Sequence, residues 1–135
     1  MLPILWYISQ RPDFQQTYPF YFPAEMKQLV VWEIAYGFQF VAAEFFFRGF
    51  ILLGLRRHFG APAALIMTLF PYMMVHFEKP YLEAMAAIVA GCILGYIALR
   101  SRSIWTGVTL HLAVALSMDL LALWRRGWFL FQSGV

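Results

Sequence analysis

The sequence predicts an all-α protein, a multi-pass membrane helix bundle with about four transmembrane helices. Three observations carry that expectation. Only 13% of the 135 residues are charged and 62% are hydrophobic, where a soluble domain carries about 25% charged residues. The apolar residues fall into runs at 28–55, 61–77, 81–99 and 103–124, each near the ~20 residues that span a bilayer. The breaks between runs hold charge, glycine or proline: Arg56-Arg57-His58 with Gly60, Glu78-Lys79-Pro80, and Arg100-Ser101-Arg102.

The net charge of +3 comes from arginines that mostly flank apolar segments. That is the pattern of membrane-flanking loops, and it excludes a nucleic-acid-binding face. The expected surroundings are a lipid bilayer, with the chain integral and multi-pass, in the cell (plasma) membrane. Cys92 is the single cysteine, so neither an internal disulfide nor a multi-cysteine zinc site is expected. No cleavable signal peptide is expected: Leu2–Ile8 is too short for an apolar h-region, and no basic residue precedes it.

Residues 1–27 are aromatic and interrupted by Pro3, Pro12, Pro19 and Pro23. Tyr18–Pro23 cannot be a helix interior. The segment reads either as an interfacial stretch, where Trp and Tyr favour the headgroup layer, or as the remnant of a truncated helix. The core is expected over 28–124, leaving 125–135 as a C-terminal tail.

The first span carries Glu33, Glu44 and Arg48. Glu33 and Glu44 lie about three turns apart on one helix face, with Gly37 and Phe40. Glu44 and Arg48, at i and i+4, can pair. Ionisable groups in a membrane helix cost roughly 2.5–3.5 kcal/mol each, so this face should point into the bundle. The second span is expected to end in Tyr72-Met73-Met74-Val75-His76-Phe77, bent at Pro71. In the third, Ala87, Gly91 and Gly95 form a small-residue stripe that lets another helix approach closely. It is expected to pack within the monomer, against the Glu44 helix or the His111 helix. The fourth span carries His111, Ser117 and Asp119 and ends at Trp124-Arg125-Arg126, at the interface.

Within the membrane this leaves Glu33, Glu44, Arg48, His76, His111 and Asp119. Two histidines and a glutamate are the parts needed to activate water: a carboxylate takes the proton while imidazoles orient the water and steady the oxyanion. Glu44, His76 and His111 are also a donor set for a divalent metal such as zinc, as two His and a carboxylate are in some zinc hydrolases. Other readings stay open at this point: a structural ion pair knitting helices together, or a haem carrier with axial histidines.

Three motifs in order carry a resemblance: Glu44-Phe-Phe-Phe-Arg48 followed by Gly49, Tyr72-Met-Met-Val-His76, and His111. This pattern resembles the CPBP family of intramembrane proteases, also called the CAAX prenyl protease 2 or Abi family. The resemblance covers about residues 28–124. It implies an endopeptidase that cuts a peptide or protein substrate near the membrane surface. By that resemblance Glu44 is the general base, His76 helps bind the water, His111 supports the oxyanion, and Arg48 holds Glu44 or a backbone carbonyl. Tyr72 stands where the family usually has Phe.

Ala43 replaces the first glutamate of the family's Glu-Glu pair, and Ala115 replaces its Asn. The chain is similar to a subgroup with a single Glu in the first motif and Met-Asp seven residues after the last His. There Asp119 is a supporting partner, available to Arg48 or to a helix contact, and Glu33 lies on the Glu44 face. The alternative is a catalytically inactive relative acting as a membrane binding or immunity-type protein.

Overall fold

The computed structural model describes residues 2–132, and every regular element among them is helical. Helices α1 (Leu2–Ile8) and α2 (Pro12–Thr17) are short. Helix α3 (Met26–Glu44) runs into a π-helical segment (Phe45–Leu52), which passes into α4 (Leu53–Met74). Helices α5 (Tyr81–Ser101), α6 (Trp105–Arg125) and α7 (Trp128–Gln132) follow. The chain divides into two compact units, residues 1–38 with 112–135, and residues 39–111.

Three helical stretches among the described residues are long and apolar enough to cross a bilayer: Met26–Met74, Tyr81–Ser101 and Trp105–Arg125. The first has 49 residues. A straight helix of that length would measure ~74 Å, more than twice the ~30 Å hydrocarbon core. It is not straight. At Gly60 the backbone takes φ 77° and ψ 167°, a conformation open to glycine and avoided by L side chains.

Two contacts show that the chain doubles back there. Leu52 and Ala64 share one buried cluster, although a straight helix would hold them ~18 Å apart. The rings of Phe47 and Tyr72 lie 5.4 Å apart, against ~38 Å along a straight helix. Met26–Met74 is therefore a helical hairpin, and the all-helical bundle has about four membrane passes. Large apolar side chains on its outside, such as Phe45, Phe50, Phe70 and Val89, are exposed, as a lipid-facing surface requires. Arg56, Arg57 and His58 are helical rather than loop, and Arg56 Nη1 donates to the Leu99 carbonyl at 3.2 Å, tying the end of the first pass to α5.

In the second unit the Ala87/Gly91/Gly95 stripe packs within the monomer, against the span of Glu44, where Ala87 clusters with Phe47 and Ala43 and Gly95 faces Leu52, and also against α4. A Cβ at Gly91 would meet Leu69 Cδ1 at 2.6 Å and Tyr72 Cδ1 at 2.9 Å, and one at Gly95 would run into Leu65 Cδ1. The bend at Gly60 lays α4 against the first pass, and the short turn over residues 75–80 brings α5 alongside them. Gly91→Leu is expected to lower folding yield and to cost about 1–3 kcal/mol or more through overpacking. Thermal melts and monomer yield in detergent read this out; a stable, folded Gly91→Leu monomer contradicts the packing.

The first unit is built on the C-terminal half of α6. Leu5, Phe14 and Tyr18 pack with Met118 and Ala122, and Leu29 packs with Leu123 and Trp128. Residues 1–27 thus contribute core side chains. The expected C-terminal tail is also packed: α7 buries Trp128, whose Nε1 donates to the Pro23 carbonyl.

Candidate active site

Glu44 is the last residue of α3, and Arg48 lies in the π-helical segment that follows. The wider turn closes with the Leu53 N–H on the Arg48 carbonyl, and such π turns recur near functional sites. Glu44 is 0% exposed and Arg48 2%, with Arg48 Nη1 3.2 Å from Glu44 Oε1. His111, on α6, places Nδ1 3.0 Å from the same oxygen. A carboxylate only accepts, so His111 Nδ1 donates and its Nε2 is the free nitrogen. The second carboxylate oxygen, Oε2, is buried and bonded to no described group. It lies against Gly107, where a Cβ would sit 2.5 Å from it. Glu44 therefore has one oxygen held by two cationic or donor groups and one left uncommitted.

Tyr72 is the centre of the group. The Arg48 guanidinium carbon lies 4.0 Å over its ring, the His76 ring is 4.7 Å away, and the His111 ring 6.5 Å. His111 also packs against Phe40, their ring centroids 4.7 Å apart and the planes tilted by 50°. His76 is not on the helix, as the sequence led us to expect. Helix α4 ends at Met74 and His76 sits in the turn beyond it, its amide bonded to the Met73 carbonyl at 2.9 Å. His76 Nδ1 lies 2.9 Å from the Tyr72 carbonyl. A carbonyl only accepts, so Nδ1 carries the proton and Nε2 is left as an acceptor. Burial pushes the His76 imidazole below its ordinary value, against the opposing pull of the Tyr72 carbonyl. The ring is therefore neutral at neutral pH.

A family model described as "Type II CAAX prenyl endopeptidase Rce1-like" matches residues 25–117. The chain belongs to this Rce1-like family. No curated protein and no solved structure matches it. The Rce1-like match spans Glu44, Arg48, Tyr72, His76 and His111 and ends before Asp119. Membership gives a protease-type enzyme class at a general level, and the apolar helices make it an integral membrane protein.

Asp119 and Glu33 belong to the first unit. Asp119 is fully buried and accepts from Trp32 Nε1 at 3.3 Å, with Glu33 nearby. Trp32 and Asp119 thus join α3 to α6 in that unit, while Arg48 pairs with Glu44.

Zinc is a poor fit to the residues of this Rce1-like chain. Among the described residues no three His, Cys, Asp or Glu side chains are placed to hold a metal. Glu44 Oε1 already faces the Arg48 guanidinium, which would repel a divalent cation.

Sequence reasoning missed Gly107 as a site residue. The available signal was its position one turn before His111, on the same face of α6. Gly107→Ala is expected to push Glu44 off the His111 bond, since the added Cβ would also lie 3.2 Å from the Glu44 carboxyl carbon. The expected result is a tenfold or greater loss of turnover with a stability cost of about 1–3 kcal/mol. Parental turnover in Gly107→Ala would show that Glu44 tolerates displacement.

Proposed function

We propose that this Rce1-like protein is an intramembrane endopeptidase that hydrolyses a peptide bond near the membrane surface, with Glu44 as general base. One observation carries the reading: Glu44 is wholly buried, with Oε1 held by Arg48 and His111 and Oε2 uncommitted. An immobilised carboxylate with one free oxygen suits proton abstraction from water. In this scheme Glu44 Oε2 takes the proton as the water oxygen bonds to the substrate's carbonyl carbon. His76 Nε2 accepts a hydrogen bond that orients the water. His111 supports the oxyanion by donating from Nε2–H as an imidazolium, with its Nδ1–H held on Glu44 Oε1. The C–N bond then breaks, and the proton on Glu44 passes to the leaving amine. Arg48 and Tyr72 position Glu44 and do not touch substrate. Asp119 and Glu33 support the fold from the first unit.

The chain is then a single-glutamate member of the family, acting on a peptide or protein in or at the cell (plasma) membrane. A second reading, an inactive binding or immunity-type relative, is favoured by Ala43, which occupies the position of the family's first glutamate. Reconstitution in liposomes with membrane-anchored reporter peptides and host membrane extracts separates the two. The proposal expects cleavage that survives chelators, from a colourless preparation. No cleavage of any host membrane protein moves the inactive reading ahead, and a haem absorption band overturns both.

A further inference from the structure

We propose that the first unit carries a binding site for an anionic phospholipid, with Arg125 and Arg126 on the phosphate and an adjoining groove on an acyl chain. The two arginines close α6, the end of a membrane-crossing helix, which places them at headgroup level. Both are fixed by neutral partners. Arg125 Nε donates to Ser9 Oγ at 2.7 Å, and its guanidinium lies 4.7 Å over the Trp6 ring. Arg126 Nη2 donates to the carbonyls of Gln15 and Tyr18.

No carboxylate among the described residues pairs with either arginine; the Arg and Lys ion pairs there are Arg11–Asp13, Arg48–Glu44 and Lys79–Glu83. A guanidinium has five N–H donors in a fork that matches phosphate oxygens. Arg125 commits Nε and Arg126 commits Nη2, so most of their donors stay open.

The arginines line a cavity of about 240 Å³ together with Ser9, Gln15 and Tyr18. Trp6, which lies under the Arg125 guanidinium, is one wall of a neighbouring apolar groove of about 600 Å³ lined also by Leu5, Leu120, Leu121 and Trp124. That volume lies in the range of small-molecule sites. A helix C-terminus alone explains one favourable arginine. It does not explain two without counter-charge beside an apolar groove at a bilayer surface. A positive pocket beside an apolar groove, with Arg125 facing Trp6 between them, is complementary to an amphiphile with a phosphate head, and free phosphate would leave the groove unused.

The test uses the full chain, delipidated in neutral detergent and titrated with dioleoyl-phosphatidylglycerol, dioleoyl-phosphatidylcholine or inorganic phosphate, with bound lipid counted by native mass spectrometry. Each arginine near an anionic headgroup contributes about fivefold in affinity. The parent should therefore prefer phosphatidylglycerol by about twenty-fivefold. Arg126→Gln should retain about fivefold, and the Arg125→Gln/Arg126→Gln double variant almost none. Arg126 is exposed, so its variant should fold even if loss of the Ser9 contact compromises the double. Leu120→Trp, which fills the groove, should weaken phosphatidylglycerol and leave phosphate binding unchanged. Equal retention of the two lipids, an undiminished preference in Arg126→Gln, or phosphate binding as tightly as phosphatidylglycerol would overturn the proposal.

Discussion

Glu44→Gln is expected to lower peptide hydrolysis by at least two orders of magnitude while the protein stays folded. Removing a general base typically costs 10²–10⁴-fold. Glutamine has the same shape, and its carbonyl oxygen can still accept from His111 Nδ1, which lies 3.0 Å from Glu44 Oε1. Arg48 keeps the Tyr72 ring at 4.0 Å and an amide oxygen as acceptor. Glu44→Gln also breaks the buried pair from one side, so we expect up to about 3–5 kcal/mol of lost stability, softened by the amide oxygen that stays beside Arg48 and His111, and no change of fold. The amide cannot take a proton from water, so kcat should fall with KM little changed. The measurement is turnover of a reporter peptide in liposomes, with circular dichroism confirming the helical fold. Glu33→Gln and Asp119→Asn are the controls. Both lie in the first unit, where Asp119 accepts from Trp32, so they should lose stability before they lose turnover. Parental cleavage by Glu44→Gln would remove Glu44 from the role of base.

Local sequence terms made some of this legible. Helical spacing alone placed Glu44 and Arg48 on one face, and the ion pair forms at 3.2 Å. Apolar run lengths and the Gly60 break anticipated the hairpin, because both depend on neighbouring residues. Tertiary relations were not legible in the same way. His76 falls in a turn because α4 stops at Met74, one helical turn after Pro71, and no periodicity marks that stop. The stripe of Ala87, Gly91 and Gly95 announced a close approach, and the Glu44 span meets it through Phe47 and Leu52. Its second partner was not legible: Leu65, Leu69 and Tyr72 meet it because the turn at 75–80 lays α5 beside α4.

Tyr72 reads in sequence as a mild substitution for Phe. Its importance lies in three ring or cation contacts, to Arg48, His76 and His111, two of them from residues remote in the chain. Gly107 reads as one more small residue in a membrane helix. Its role appears only when Glu44 Oε2 is placed against it. Trp32 and Asp119 illustrate the same limit. Their pairing joins two spans at opposite ends of the sequence.

Arg48→Met should be the most destabilising single change at the site, at about 3–5 kcal/mol, the cost of breaking a buried pair from one side. Arg48 is 2% exposed and its partner Glu44 0%. Removing the cation leaves a carboxylate in an apolar interior with His111 as its sole remaining partner among the described residues. Methionine fills similar volume, so the loss reads charge rather than a cavity. Arg48→Lys should recover part of it by restoring the cation, but not the flat stacking of a guanidinium over Tyr72. The informative variant is Glu44→Gln/Arg48→Met. Both charges are then gone, and His111 can still donate to the amide oxygen of the substituted side chain. A buried ion pair replaced by neutral groups is often tolerated at little cost. The double variant should therefore be more stable than Arg48→Met alone, while remaining as inactive as Glu44→Gln. Thermal melts of the parent, both single variants and the double close this cycle. A purely additive cycle would mean that Glu44 and Arg48 do not depend on each other, and that the base is held in place by His111 alone.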